Sequence, residues 1–183
     1  SSDLAYNEIY EIKAQNERSL LKKAEYDGLT GILNRSAFDQ ICRNSQQKKQ
    51  SIALLLVDMD NFKQVNDTYG HIGGDTALKT LAKLMTEAFR EGDYVARIGG
   101  DEFAIILPNF HYSAHSASII QKKITVINSR LPEESELDRV SVSVGVAFSA
   151  TGFSEKLYQE ADKALYSVKE KGKCGCEFFN SLS

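Results

Sequence analysis

The sequence lacks any apolar run long enough to cross a membrane, and it lacks the pattern of a secretory leader. The expectation is a cytoplasmic catalytic or binding domain; a longer parent protein can still carry a membrane anchor. Cysteine is scarce. Cys42, Cys174 and Cys176 are three in number, odd, and without framework spacing. That excludes a disulfide scaffold and fits a reducing compartment. Cys174-Gly175-Cys176 has neither the two-residue spacer of a metal or redox pair nor a nearby histidine, so free thiols are expected. Positive charge is not in excess: 22 Lys and Arg against 25 Asp and Glu give a net charge of −3. A nucleic-acid backbone is therefore excluded as the main partner. An anionic small ligand would need metal ions or local cations. Internal repeats and low-complexity segments are absent as well.

What is present describes one globular domain with an appendage. The 183 residues are 42% apolar and 26% charged. A chain of this length buries about 70% of its unfolded surface and needs no disulfide or structural metal to fold. Residues 3–25 contain no Gly or Pro and predict a helix. Its heptad seam would hold Asn16, Ser19 and Lys23, too polar for an isolated coiled coil. Residues 1–26 are thus expected to join the domain over 27–183 to something upstream, or else to pack on that domain as a terminal helix.

Further elements follow from periodicity and punctuation. A helix starts at Asn34 or Ser36 and runs to about 47. Residues 51–58 form an apolar strand covered on both faces. A short helix over 60–69 stops at Gly70, and a longer one follows a glycine-rich loop at 76–89. Another helix is expected over 113–129, then a polar loop over 131–138. A strand over 140–148, a helix from Ser154 to about 171 and an edge strand over 176–179 complete the chain. The core order is strand, helix, strand, strand, helix, strand. That is an α+β, ferredoxin-like βαββαβ pattern: an antiparallel sheet with its core helices on one face.

One stretch organises the chemistry: Arg97-Ile98-Gly99-Gly100-Asp101-Glu102-Phe103 and the apolar residues to Leu107. Its flanks read as two short strands. Gly99 and Gly100 predict a tight hairpin turn with positive backbone angles. Asp101 and Glu102 follow at once, and acids beside a buried strand need a partner. In the ferredoxin-like order Asp58, at the end of the first strand, can approach Asp101. Asp58, Asp101 and Glu102 are therefore a candidate cluster of hard oxygen ligands, suited to Mg²⁺ or Mn²⁺ at a nucleoside triphosphate. Lys63, Lys169 and Lys173 are placed to meet phosphates. Asn66 and Asp75 flank the glycine-rich loop. An ionised carboxylate only accepts hydrogen bonds, which suits guanine with its adjacent N1–H and 2-amino donors.

With those residues in hand, the chain resembles the GGDEF domain of bacterial diguanylate cyclases. The matching segments are Asp27-Gly-Leu-Thr-Gly-Ile-Leu-Asn-Arg35, Asp58-Met-Asp-Asn-Phe-Lys-Gln-Val-Asn-Asp-Thr-Tyr-Gly-His71, Gly74-Asp75, Arg97-Ile-Gly-Gly-Asp-Glu-Phe103, Val142-Ser-Val-Gly145 and Ala161-Asp-Lys-Ala-Leu-Tyr166. They span about four fifths of the chain. The resemblance implies a nucleotidyl-cyclase-like fold and condensation of two GTP into cyclic di-GMP with release of two pyrophosphates. It implies a two-fold homodimer whose sites face each other, and a sensor or receiver domain upstream. By the family pattern Asp58, the Met59 carbonyl and Asp101 bind the metals, while Glu102 is a further ligand or helps deprotonate the attacking hydroxyl. Asn66 and Asp75 read guanine, and Lys63, Lys169 and Lys173 contact phosphate. Gly99 and Gly100 let backbone approach the nucleotide. Arg90-Glu-Gly-Asp93 matches the family's RxxD motif, which binds product and inhibits. Two departures stand out: Lys173 replaces the usual Arg, and the stretch between 148 and 157 is short. The alternative to an enzyme is a non-catalytic receptor for GTP or cyclic di-GMP, and a narrower one is an enzyme that also accepts ATP.

Overall fold

The computed structural model describes residues 2–180; the expected domain limits at residues 1 and 183 lie outside them. Ten elements run in order: α1 (Ser2–Glu25), α2 (Arg35–Gln47), β1 (Ile52–Met59), α3 (Phe62–Ala88), β2 (Tyr94–Arg97), β3 (Glu102–Pro108), α4 (Ala114–Ser135), β4 (Val142–Ser149), α5 (Glu155–Glu170) and β5 (Gly175–Phe178). The sheet order is β2-β3-β1-β4-β5. The first four strands are antiparallel and carry the βαββαβ order expected. β5 instead runs parallel to β4. The reason is the connection: α5 crosses over between them, and a crossover returns the chain in its original direction.

β1 sits at the centre, and its apolar run is buried on both sides. Ala53, Leu55, Val57 and Met59 face one core, built with Leu78, Leu81 and Met85 of α3 and Ile120, Ile124 and Ile127 of α4. Ile52, Leu54 and Leu56 face a second core, with Phe38 and Cys42 of α2 and Leu157, Ala161 and Leu165 of α5. The core helices α3 and α4 share one face as expected, and α2 and α5, outside the core repeat, cover the other. β4 approaches α5 so closely that a Cβ at Gly145 would fall 2.1 Å from the Ala161 carbonyl.

Two local expectations are corrected. The loop predicted at 131–138 is mostly helix, because Leu131 continues the buried stripe of 120, 124 and 127. Pro132 is tolerated near the helix end, where it forfeits one backbone hydrogen bond. The glycine-rich loop after Gly70 is also helical. α3 is two helices meeting at Gly70, whose backbone (φ 73°, ψ 176°) is the only non-helical one inside. Elsewhere the caps follow the sequence. Asn34, not Ser36, caps α2 by accepting from the Ala37 N–H at 3.0 Å, and Ser154 caps α5 through the Leu157 N–H at 3.1 Å.

Candidate functional site

The site is built where β1 and β3 end together. The register pairs Asp58 with Glu102, and the Met59 N–H donates to the Asp101 carbonyl at 3.1 Å. The hairpin tip thereby closes onto the end of β1. Asp58 is largely buried, and burial pushes its carboxyl up. An ion pair with Lys169 works against that rise, and the neighbouring Asp101 carboxylate adds to it. Lys169 itself is partly buried, which works to lower it; the Asp58, Asp101 and Asp60 charges outweigh burial and hold it above the ordinary lysine range. Lys169 comes from the last turn of α5, so the second face of the sheet supplies the cation for acids at the end of the first strand.

Asp58 Oδ1 is buried and, among the described residues, accepts no hydrogen bond. An orphaned carboxylate oxygen beside a second carboxylate fits a hard cation. The cluster is smaller than the sequence predicts. Among the described residues no three His, Cys, Asp or Glu side chains converge on one point. Asp58 and Asp101 come together; Glu102 folds back across Gly99, where a Cβ would stand 2.7 Å from its carboxylate. The positive backbone angles expected of Gly99 and Gly100 are not found. The Ile98 and Gly99 N–H groups both donate to the Glu102 carbonyl, making a wider turn in ordinary backbone regions. Gly99 is needed to make room for Glu102, and Gly100 opens onto empty space.

The tip is braced from behind by Arg97 and Asp27, to which the motifs assign no role above. Arg97 donates through Nε and Nη2 to the Gly100 carbonyl at 3.1 and 2.7 Å, and through Nη1 to Asp27 at 3.3 Å. Asp27 also accepts from the Thr30 hydroxyl and N–H at 2.6 and 2.9 Å. Burial works to raise the Asp27 carboxyl, but the Thr30 bonds and the Arg97 charge outweigh it and leave it below the ordinary range. The segment after α1 lies along β2, with the Arg97 N–H on the Leu33 carbonyl at 2.8 Å. The foot of α1 is thus wired to the hairpin tip. Asp60 is the other residue missed: it is 3% exposed at the end of β1 and is hydrogen-bonded on both oxygens. The sequence signal was a second acid two residues after Asp58.

The remaining candidates fall around this centre. Lys63 is exposed in the first turn of α3. Lys173 donates to the Asn61 side chain, so the turn after α5 meets the start of α3. Asn66 lies flat against the second half of α3: a Cβ on Gly74 would come within 1.9 Å of its Oδ1. That places Asn66 beside Gly74 and Asp75, with Asp75 exposed. Arg90 and Asp93 are not part of this group. They form a turn at the other end of β2, the Asp93 carboxylate accepting from the Arg90 N–H at 2.9 Å. The turn lines a cavity of about 940 Å³ shared with Tyr26, Gln40, Arg43 and Tyr94.

Comparison with known proteins bears on this arrangement. Residues 24–174 match the family described as diguanylate cyclase, GGDEF domain. The diguanylate cyclase DgcS of Shewanella oneidensis is 35% identical over 167 residues, covering 88% of this chain and 55% of that protein. Diguanylate cyclase DgcM of Escherichia coli is 36% identical over 172 residues, covering 90% of this chain and 41% of that one. The chain therefore spans about half the length of the curated relatives it matches. Among solved structures, the coiled coil and GGDEF domain of DgcB from Caulobacter crescentus, in complex with c-di-GMP, superposes with a TM-score of 0.75 at 28% identity, over 95% of each chain.

Proposed function

The chain belongs to the GGDEF domain family of diguanylate cyclases, and from that premise we propose that it condenses two GTP molecules into cyclic di-GMP with loss of two pyrophosphates. The observation that carries the reading is the buried, half-unpartnered Asp58 beside Asp101, with Lys169 bound to it. Hard oxygen donors of this kind would hold Mg²⁺ or Mn²⁺, with Asp58, the Met59 carbonyl and Asp101 as ligands and Glu102 as a further ligand or a base. Such a metal, when bound, neutralises phosphate charge and lowers the pKa of a coordinated hydroxyl.

The chain's own residues do the rest by positioning. Asp75 and Asn66 hold the guanine edge, and the accepting oxygens of Asp75 reject adenine, which presents an acceptor at N1. Lys63, Lys169 and Lys173 take the phosphate charge. Lys169 is already paired with Asp58, so an incoming triphosphate exchanges one anionic partner for another. Gly100, which opens onto empty space, lets the nucleotide approach the tip backbone, and Gly99 makes room for the Glu102 side chain. The 3′-hydroxyl of one nucleotide attacks the α-phosphorus of the other, whose pyrophosphate leaves. One domain holds one GTP, so two copies related by a two-fold axis complete the site. α1 would carry the signal from an upstream domain to that pairing, and Arg90 with Asp93 would bind product.

The test is direct. The chain at high concentration, or as an enforced dimer, is incubated with GTP and Mg²⁺ or Mn²⁺, and cyclic di-GMP is measured. Product is expected, with a loss of at least about a hundredfold in Asp101→Ala and Glu102→Ala. Absence of product from the unmodified chain under both conditions would sink the reading.

A further inference from the structure

Asp60 has no part in the scheme above. It follows β1 directly, two residues beyond Asp58, and is 3% exposed. Its Oδ1 accepts from the Ser143 hydroxyl at 2.6 Å, and its Oδ2 from the Ser141 hydroxyl at 2.6 Å and the Cys174 N–H at 3.0 Å. Among the described residues no Lys or Arg pairs with it directly. A buried carboxylate is costly, and here three donors compensate it, with the Lys169 charge near but not in contact. The donors come from two places, the start of β4 with the residue before it and the turn joining α5 to β5.

That turn is held against its local preference. Lys173 and Cys174 both have positive φ, 67° and 53°, in succession, a conformation disfavoured for side chains of this kind. The Lys173 N–H closes the helix end on the Val168 carbonyl at 3.0 Å. The next N–H, that of Cys174, goes to Asp60. The turn carries Lys173, whose ammonium meets Asn61, and follows the helical turn that carries Lys169, whose ammonium meets Asp58. Residues 58–61 thus bind the α5–β5 turn by side chain, backbone and side chain in sequence.

We propose that Asp60 is a positioning residue for the phosphate grip: it fixes the backbone of the 172–175 turn so that Lys173 and Lys169 converge beside Asp58. The proposal rests on the nucleotide-condensing reading above. An acid is required because three donors meet on two oxygens that both accept. The amide of asparagine offers one accepting oxygen and a donor in the place of the other, so Asp60→Asn keeps the volume, removes the charge and forces either the Cys174 N–H or a serine hydroxyl, which must then turn to accept, out of the present set.

The experiment uses the full chain with Mg²⁺ and two probes, guanosine and the non-hydrolysable guanosine 5′-(α,β-methylene)triphosphate, titrated calorimetrically. Asp60→Asn is expected to weaken the triphosphate about tenfold and leave guanosine unchanged. In turnover it raises KM for GTP more than it lowers kcat. Hydrogen exchange at the Cys174 amide quickens, while β1 and β4 keep their protection. In a Lys173→Ala background the same change costs less than about twofold, because the two residues act through one turn. Equal loss for both probes, fully additive variants, or unchanged triphosphate affinity with a freed Cys174 amide would each overturn the proposal. The two readings fail separately. A chain that prefers triphosphate to guanosine but makes no cyclic di-GMP refutes the cyclase and leaves Asp60 to be judged by binding. A chain with no such preference removes the phosphate grip and the role of Asp60 together.

Discussion

Asp27 and Asp58 carry the same side chain and are driven in opposite directions. Both are desolvated. At Asp27 the Thr30 hydrogen bonds and Arg97 win, and the carboxyl stays low; at Asp58 burial wins over Lys169, and the carboxyl rises. A depressed folded pKa adds stability that is complete above the unfolded value of 3.8 and is lost as pH falls through the folded value. Asp27→Asn is therefore expected to cost about 1 kcal/mol near neutrality, with the gap to the unmodified chain closing below about pH 4. Denaturation midpoints across pH 2–7 measure it, and a gap that widens on acidification would contradict the assignment. The thiols follow the same logic of environment. Burial pushes Cys42 and Cys176 up to about 12, so neither is a nucleophile at neutral pH. All three cysteines are free, as their odd number and spacing predict.

At the scale of elements, α3 is the part that sequence periodicity describes least well. Gly70 breaks it as expected, yet Gly73 and Gly74 are not loop residues. A Cβ on Gly73 would lie 2.3 Å from the Tyr69 Cβ, and one on Gly74 would lie 1.9 Å from Asn66 Oδ1. These glycines permit close packing at the kink, and the packing seats Asn66 beside Asp75. Gly74→Ala would gain about 1 kcal/mol of helix propensity and lose about 1–3 kcal/mol to overpacking. The expected result is a lower unfolding midpoint and about a tenfold loss of preference for GTP over ATP in nucleotide binding. Gly100→Ala, which meets open space, should leave the midpoint unchanged. Equal midpoints for all three proteins would remove the packing argument.

For the molecule as a whole, the question is how the Arg90–Asp93 turn, proposed above to bind product, could act on the hairpin tip. The Arg90–Asp93 turn and the hairpin tip sit at opposite ends of β2, a strand of four residues and roughly 10–13 Å. The cavity at Arg90 also includes Tyr26, next to Asp27, which reaches Arg97 and the tip. A ligand in that cavity would touch the segment that braces the hairpin tip. Arg90→Ala is expected to raise the product concentration needed for half-inhibition about tenfold or more while synthesis at low product persists. Inhibition curves with added cyclic di-GMP decide it; an unchanged curve would count against the site. α1 projects Leu4, Tyr6, Ile9, Tyr10 and Ile12 with 59–71% exposure, an apolar surface that its own domain leaves uncovered. No helix among the described residues is long and apolar enough to cross a membrane.

The βαββαβ order was legible in the sequence because strands and helices differ in period, and β1 announced its two-sided burial by an unbroken apolar run. The acids, the lysines and the Asn66–Asp75 pair were legible by type and by motif. Tertiary structure decided what local signals cannot encode. It showed that β5 is parallel, since direction follows from where α5 crosses. It showed that Leu131 extends a helix past a proline, since burial against α3 outweighs one lost hydrogen bond. It laid the Glu102 side chain back over Gly99, because a side chain's direction at a turn depends on the backbone around it. It also brought Asp27 to Arg97 and Asp60 to Cys174, pairs 70 and 114 residues apart. Charge and hydrogen-bonding capacity are written in each residue, but the partner that satisfies them is set only when the chain folds.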